Sequence, residues 1–135
     1  MAYDRDNEGN KIPRKQILIA VQELSRFIPT AEHSIMTGDT PLTQVYRNFL
    51  LSEMYGYKEG LLSYSIILAP QDHPTTKKEL ESLTGGLRDE YKGKVKNINL
   101  EDFVYAIIDN CPDKYRAVFK RFYDRYLNWS KLEKY

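Results

Sequence analysis

The sequence predicts an α/β fold that is predominantly helical, with about five helices and a small parallel β-sheet of about two or three strands. The helical segments repeat apolar residues every three or four positions, which is the pattern of a helix with one buried face. A nearly continuous apolar run at residues 61–69 has the character of a strand covered on both faces. A second strand is predicted after one intervening helix, an order typical of a parallel crossover.

The composition is that of an ordinary globular domain. The 135 residues suit one domain, so we expect residues 1–13 to be a flexible lead-in and residues 14–135 to form a single α/β domain. A net charge of +1 gives no global electrostatic case for nucleic acid or a membrane surface. One cysteine, Cys111, excludes a disulfide within the chain. The polar N-terminus and the lack of a long apolar run predict a cytoplasmic protein without a membrane segment.

The first helix is predicted downstream of Pro13, from an apolar stripe that reaches Ile28. Pro29 should end this helix, because its ring cannot occupy a helix interior. Residues 29–40 are then predicted to form a loop that leads into the second helix.

The second helix is predicted at residues 41–55, with Thr40 as its N-cap, Pro41 at its first position and Gly56 as its end. Its apolar residues cover most of the circumference, which predicts burial on nearly all sides. Together with the strand that follows, this helix should form the centre of the domain.

Three polar residues interrupt the apolar surface of the second helix. Gln44, Arg47 and Asn48 are spaced at i, i+3 and i+4, so they share one helix face. They are the leading candidates for binding a ligand. The alternative is that they satisfy buried loop carbonyls or pair with Glu53, as buried polar groups usually do.

The strand at residues 61–69 is closed by Pro70, and Asp72 and His73 follow at its carboxyl end. Ligands of open parallel sheets bind at this end, so both residues are candidate binding residues. A pocket around them would indicate an enzyme. The alternative is that Asp72 and His73 only form a turn.

The second half of the chain continues with a helix at residues 76–87 and a less apolar strand at residues 94–100. Asn99 should cap the next helix, and the last helix begins at Asp113.

The last helix combines apolar and basic residues. Its apolar stripe is predicted to be core rather than a platform for stacking bases, because the spacing is helical and one-sided. Lys120, Arg121 and Arg125 are interleaved with the stripe and are candidate phosphate contacts. The alternative is a solvated polar face. The stripe consists of Tyr115, Val118, Phe119, Phe122, Tyr126 and Trp129.

The predicted strands are too few for the predicted sheet. A parallel strand that is buried needs a neighbour on each side, and two strands cannot supply this. Either a third strand lies in the N-terminal region, or the sheet continues in another molecule, or the chain is one half of a larger domain.

Four phrases carry a family resemblance: TPLTQVYRNFLLSEMY, YSIILAPQDHP, VKNINLEDFVYAI and FKRFYDRYLNW. Together they resemble a bacterial family of the restriction-endonuclease-like PD-(D/E)XK nuclease superfamily, over roughly residues 27–129. In that family a Gln-x-x-Arg-Asn helix precedes an apolar strand that ends in proline. The resemblance implies part of a restriction-endonuclease-like fold, with Gln44, Arg47 and Asn48 beside the active site.

The resemblance fails at the catalytic motif. The superfamily holds Mg²⁺ with an Asp and a Glu-x-Lys on adjacent strands, which precede the Gln-x-x-Arg-Asn helix. Here a helix and loops are predicted in that region. Glu90-Tyr91-Lys92 spells Glu-x-Lys, but it follows the wrong strand, in a loop flanked by glycine. No histidine or cysteine metal site is predicted either.

The resemblance therefore implies a non-catalytic or split fragment of a restriction-endonuclease-like nuclease. Such a chain would act with a catalytic partner, or as a module that binds DNA or protein, and Mg²⁺ would be needed only together with the catalytic half. The alternative is a small cytosolic adaptor of a phage or defence system that dimerises, or caps a partner, through aromatic helix faces. A protein partner or a homodimer is expected, nucleic acid stays an open alternative, and no membrane is expected.

Overall fold

A computed structural model describes residues 3–5, 11–13 and 15–128 of the chain. These residues form a predominantly helical α/β structure, as predicted, with seven helices and four short strands. In chain order the elements are β1 (Tyr3–Arg5), β2 (Lys11–Pro13), α1 (Lys15–Leu24), α2 (Pro29–Thr37), α3 (Gln44–Glu59), β3 (Ser65–Ala69), α4 (Pro74–Gly86), α5 (Asp89–Lys92), β4 (Val95–Asn99), α6 (Leu100–Asn110) and α7 (Asp113–Tyr126).

The strands form two separate two-stranded sheets. β1 pairs with β2 in antiparallel register, and β3 pairs with β4 in parallel. The lead-in therefore contains two strands that pair with each other, and within the described residues β3 has β4 as its single strand neighbour. The prediction that β3 is covered on both faces is wrong, because Ile66 is 62% exposed and Leu68 is 43% exposed.

The chain divides into two compact units. Of the described residues, those up to residue 67 and residues 74–96 belong to unit 1, and residues 68–73 and 97–128 belong to unit 2.

The core of unit 1 lies between α1, α3 and α4. Phe27 is fully buried at its centre, where its ring stacks on Tyr46 and meets Phe49 edge-on, each at a centroid distance of 6.2 Å. Leu83 and Leu87 are buried in the same cluster. Burial of apolar side chains of this size contributes about 1.5–3 kcal/mol each, so these contacts fix the helices that carry the candidate site.

The prediction of one helix up to Pro29 followed by a loop is wrong. α1 ends at Leu24, and Phe27 instead forms an antiparallel bridge with Leu87. Pro29 then begins α2 at its first position, where a helix does not need the missing N–H. The residues predicted as a loop are therefore mostly helical, and Ile35 of α2 is buried in the core.

Gly56 does not end α3, which continues to Glu59 and stops at Gly60 in the left-handed region, φ 66°. Gly56 lies inside the helix because the chain that follows passes close to it. A Cβ atom there would lie 2.8 Å from the carbonyl oxygen of Leu61 and 2.9 Å from Oγ of Ser63. The N-cap is Thr43 rather than Thr40.

α3 is also less completely buried than predicted. Its inner face carries Val45, Phe49 and Leu50, which pack into the core, whereas Leu51 on the outer side is 69% exposed. An apolar residue as exposed as Leu51 indicates a surface that the described residues leave uncovered.

The later elements follow the predictions closely. α4, β4 and α6 lie within two residues of their predicted bounds, α7 begins at Asp113, and Asn99 occupies the N-cap position of α6 without a side-chain capping bond. In unit 2, α6 packs on α7 around Val104, Ile108 and Leu127. None of the helices in the described ranges is long and apolar enough to cross a membrane.

Candidate functional site

A buried carboxylate holds α3 in place within unit 1. Glu53 is 1% exposed and accepts hydrogen bonds from three side chains. Nε of Arg26 lies 2.7 Å from its Oε2, Nζ of Lys94 lies 3.0 Å from both carboxylate oxygens, and Oγ of Ser63 lies 2.5 Å from Oε1. The guanidinium of Arg26 also stacks on the ring of Tyr91, at 4.3 Å from its centroid.

The partners of Glu53 decide its charge. Burial alone would raise the pKa of this carboxyl group, but the hydrogen bonds from Ser63, Lys94 and Arg26 outweigh burial and lower the pKa. Glu53 is therefore ionised at neutral pH and balances two cations that are themselves largely buried. It joins α3 to the segments before α2 and β4, which is a structural role.

Gln44, Arg47 and Asn48 lie together on one face of α3, as predicted. Nη2 of Arg47 donates to Oε1 of Gln44 at 2.7 Å, and Nε2 of Gln44 donates to Oδ1 of Asn48 at 2.7 Å. The suggested pairing of these residues with Glu53 is wrong, since the described partners of Glu53 lie elsewhere. The three residues form a short chain of hydrogen bonds along the helix surface.

Arg47 also lines a groove between α1 and α3, which we call the α1–α3 groove. The groove has a volume of about 510 Å³. Nε of Arg47 is shielded from solvent and has no hydrogen-bond acceptor among the described residues. Leaving such a donor unsatisfied costs about 1–3 kcal/mol. The lining residues are Gln16, Ile17, Ile19, Ala20, Glu23, Arg47, Leu50, Leu51, Met54 and Lys58.

Asp72 and His73 lie in a tight turn of unit 2. The N–H of His73 donates to the carbonyl of Pro70 at 3.2 Å, and Asp72 has a positive φ of 63°, which aspartate tolerates in turns. The carboxylate of Glu101 holds the turn by accepting from the N–H of Gln71 at 2.8 Å. Both candidate side chains are exposed, and neither lines the cavity between α1 and α3, the one between α6 and α7, or the one beside α2.

The Glu-x-Lys triplet lies on a helix rather than a strand. Glu90 and Lys92 belong to the single-turn helix α5, which was predicted as a loop, and both are exposed. Nζ of Lys92 pairs with Asp89 at 2.6 Å. Across residues 3–5, 11–13 and 15–128, no three His, Cys, Asp or Glu side chains are grouped closely enough to hold a metal ion.

Most of the apolar stripe of α7 is exposed, which corrects the prediction that the stripe is core, although Phe119 is partly buried against the core of unit 2. Tyr115, Val118, Phe122 and Tyr126 are between 41% and 54% exposed, and α7 has no buried residue. We call these four residues the α7 face. Trp129 lies outside the described residues.

Basic residues border the α7 face. Each of its three aromatic residues directly follows a basic one: Lys114, Arg121 or Arg125. Nζ of Lys114 lies 4.8 Å from the ring centroid of Tyr115, and Cζ of Arg125 lies 5.3 Å from that of Tyr126. Lys120 is also exposed, on the opposite side of the α7 face from these three basic residues. Five basic and two acidic residues give α7 a net charge of +3.

An apolar groove lies beside the α7 face, between α6 and α7. Its volume is about 270 Å³. The lining consists only of apolar side chains, from Leu100, Phe103, Val104, Ile107, Val118, Phe119 and Phe122. Apolar walls with a basic border suit an apolar, acidic partner surface.

Sequence reasoning missed the Glu53 cluster. A signal was present, since Glu53 follows Phe49 by four residues and so falls on the buried face of α3. A charged residue at such a position requires a buried partner of opposite charge. Its partners Arg26 and Lys94 are distant in sequence, so the pattern could indicate the need for cations but not their identity.

The fold and these surfaces define a small helical α/β protein with an arginine-containing groove and an exposed aromatic face. The chain belongs to the family described as Restriction Endonuclease associating with ARP, whose model matches residues 5–127. The match confirms the restriction-endonuclease resemblance, and it begins earlier in the chain than the phrases that carried that resemblance. No curated protein and no solved structure matches the chain.

Proposed function

We propose that this chain is a non-catalytic component of a restriction-endonuclease-like system, and that it acts through a partner polypeptide bound on the α7 face. Family membership connects the chain to restriction endonucleases, and the family description itself names an association, with ARP. The partner would carry the Asp and Glu-x-Lys of the PD-(D/E)XK superfamily, and Mg²⁺ would be held there.

The placement of the Glu-x-Lys triplet supports a non-catalytic role. A metal-binding Glu-x-Lys is presented by a strand, so that Glu and Lys point to the same side. Here the triplet lies on α5, where Glu90 and Lys92 are two positions apart on a helix and face different directions. Among the described residues before α3, the elements are two helices and the antiparallel strand pair β1–β2.

The observation that carries the proposal is the α7 face. Four apolar residues at i, i+3, i+7 and i+11 form one stripe, yet each is about half exposed. Tyrosine, phenylalanine and arginine are residues that dominate binding energy in protein interfaces. The net charge of α7 favours a partner surface that is acidic around its apolar centre.

The groove beside the α7 face favours protein over nucleic acid. Exposed aromatic and basic residues could also stack bases and contact phosphates. However, a groove lined only by apolar side chains has nothing to donate to a phosphate, whereas it accepts the apolar side chains of a polypeptide. The experiment must therefore distinguish binding of a polypeptide from binding of DNA.

The test is the native mass of the chain purified from its own host, with identification of any polypeptide that accompanies it. We expect a complex with a polypeptide that carries Asp and Glu-x-Lys on neighbouring strands, and Mg²⁺-dependent cleavage of DNA by that complex alone. Val118→Asp should release the partner and abolish cleavage, because it places a charge in the centre of the stripe. Tyr57→Ser, at an exposed tyrosine of unit 1, is the matched control and should leave the complex intact.

Three results would overturn the proposal. They are a wild-type chain purified alone, a complex that survives Val118→Asp, and Mg²⁺-dependent cleavage by the isolated chain. If the isolated chain binds DNA in a salt-dependent manner and Arg121→Glu abolishes this binding, the α7 face is a nucleic-acid surface instead.

A further inference from the structure

The α1–α3 groove has the geometry of a helix bundle with one helix missing. Its α3 wall consists of residues 47, 50, 51, 54 and 58, in which the adjacent pair 50 and 51 is separated from residues 47 and 54 by three or four positions, and 58 follows 54 by four. Its α1 wall includes residues 16, 20 and 23, which have the same spacing. Two adjacent stripes with this period are the surface against which a third helix packs.

The floor of the groove is apolar and open. Ile17, Ala20, Leu50 and Met54 belong to the core or pack against it, whereas Leu51 is largely exposed. The volume of about 510 Å³ falls within the rough range of 300–1,000 Å³ that is typical of binding cavities in proteins. The groove therefore has space for several apolar side chains of an incoming segment.

Charged groups at the groove define what else the occupant must bring. Arg47 lines the groove, and its guanidinium has the neutral Gln44 as its one acceptor among the described residues. A carboxylate is the strongest acceptor for a guanidinium. Lys58 provides a second cation eleven residues further along α3, about 16 Å away. Glu23, on the opposite wall, would face a basic residue of the occupant.

We infer that the α1–α3 groove binds an amphipathic α-helix of a second polypeptide, with an apolar stripe and a carboxylate that pairs with Arg47. The helix must be about twelve residues or longer to reach from Arg47 to Lys58. This inference concerns a surface of unit 1 and stands independently of the α7 face, so either can fail without the other.

The test selects ligands without assuming a sequence. A phage-displayed library of helical peptides of about 16 residues is panned against the full chain. Enriched peptides should carry apolar residues at i, i+3 or i+4 and i+7, with a Glu or Asp near one end. The best peptide, labelled with fluorescein, should bind with an affinity that falls roughly tenfold or more in Arg47→Met.

A double-mutant cycle isolates the proposed ion pair. Replacing the peptide's acidic residue by its amide should weaken binding to the wild type but not to Arg47→Met. Arg47→Met should leave the free energy of unfolding unchanged or raise it, because it removes an unsatisfied buried donor. Leu51→Asp should abolish binding, and Arg125→Met in unit 2 is the matched control that should not.

The inference fails if no peptide is enriched, if enriched peptides lack an acidic residue, or if the cycle shows no coupling. It also fails if dodecanoate, rather than a peptide, shifts the NMR methyl signal of Met54, which would make the groove a lipid site. A change in the mass of the purified chain with Leu51→Asp would identify a second copy as the occupant, and would likewise overturn it.

Discussion

Glu53→Gln tests the buried carboxylate, because it removes the charge and keeps the shape. The carboxylate faces three donors, and two of them are cations whose side chains are 15% and 22% exposed. A glutamine presents an oxygen on one side and an NH₂ group on the other, so one cation must face a donor. Breaking a buried ion pair on one side costs about 3–5 kcal/mol, and partial access to water favours the lower figure.

We therefore expect Glu53→Gln to reduce the free energy of unfolding by about 3 kcal/mol at pH 7. Urea denaturation followed by circular dichroism is the assay, and for an m value of about 1.5 kcal/mol/M the midpoint falls by about 2 M. Glu59→Gln changes the same residue type at an exposed position of the same helix, and should stay within about 0.5 kcal/mol of the wild type.

The pH dependence gives an independent check of the same reasoning. The folded-state pKa of Glu53 is lowered, so its stabilisation is fully present above the usual carboxyl pKa of about 4.3 and is lost as the pH falls through the lowered value. The difference between wild type and Glu53→Gln should therefore shrink in acid. The reasoning is refuted if the variant is as stable as the wild type at pH 7, or if the difference stays constant down to pH 3.

Two further predictions concern packing and a tyrosine pair. Gly56→Ala should cost about 1–3 kcal/mol in denaturation experiments, because its Cβ would meet the Leu61 carbonyl, whereas Gly85→Ala, with no atom within 4 Å, should be neutral or stabilising. Equal effects would contradict the close approach. The hydroxyl of Tyr123 donates a hydrogen bond to Tyr105, which raises the pKa of Tyr123 to about 12, so NMR titration of Tyr105→Phe should show that pKa returning toward 10. The stability contributed by Tyr123 is fully present below pH 10 and is lost as the pH rises toward 12, and Tyr105→Phe should remove that dependence.

Elements set by their own local pattern were predictable. α4, α6 and α7 each have a clear apolar period and a recognisable start, and the structure places them, and the less apolar β4, close to the predicted bounds. α2 was not predicted because a proline can either end a helix or occupy the first position of a new one. Which of the two applies to Pro29 depends on its surroundings in the fold. Phe27 forms a bridge with Leu87, sixty residues away, so residues 25–27 do not belong to α1. A contact at this distance in sequence cannot be predicted from a local pattern.

The extent of burial was less predictable than the secondary structure. The period of α7 indicates an apolar face, but it does not say whether the same chain covers that face. The same holds for Leu51 on α3 and Ile66 on β3, which the sequence predicted to be buried. In each case the pattern identified the surface correctly, and the error lay in assuming that this chain provides the packing partner.

In the candidate site, too, the features set by local spacing were predictable and those set by distant contacts were not. The shared face of Gln44, Arg47 and Asn48 depends only on helical spacing, and it was predicted. The role of Arg47 depends on α1, which supplies the other wall of its groove, and on the lack of a nearby acceptor among the described residues. Neither condition can be predicted from the residues that neighbour Arg47 in the sequence.

Arg26 and Arg47 differ in role: Arg26, which contacts α3, is structural, whereas Arg47, which lies on α3, is a candidate for binding a partner. Arg26 meets Glu53, so the chain itself provides the carboxylate, and the pair contributes to folding. Arg47, six residues before Glu53 on α3, has the neutral Gln44 as its acceptor among the described residues, and its Nε is left shielded and unsatisfied. Shielding this one donor without an acceptor destabilises the isolated protein, whereas a carboxylate on a partner would pair with the accessible part of the guanidinium. Replacing Arg26 should therefore weaken the fold, whereas replacing Arg47 should weaken association and leave the fold intact.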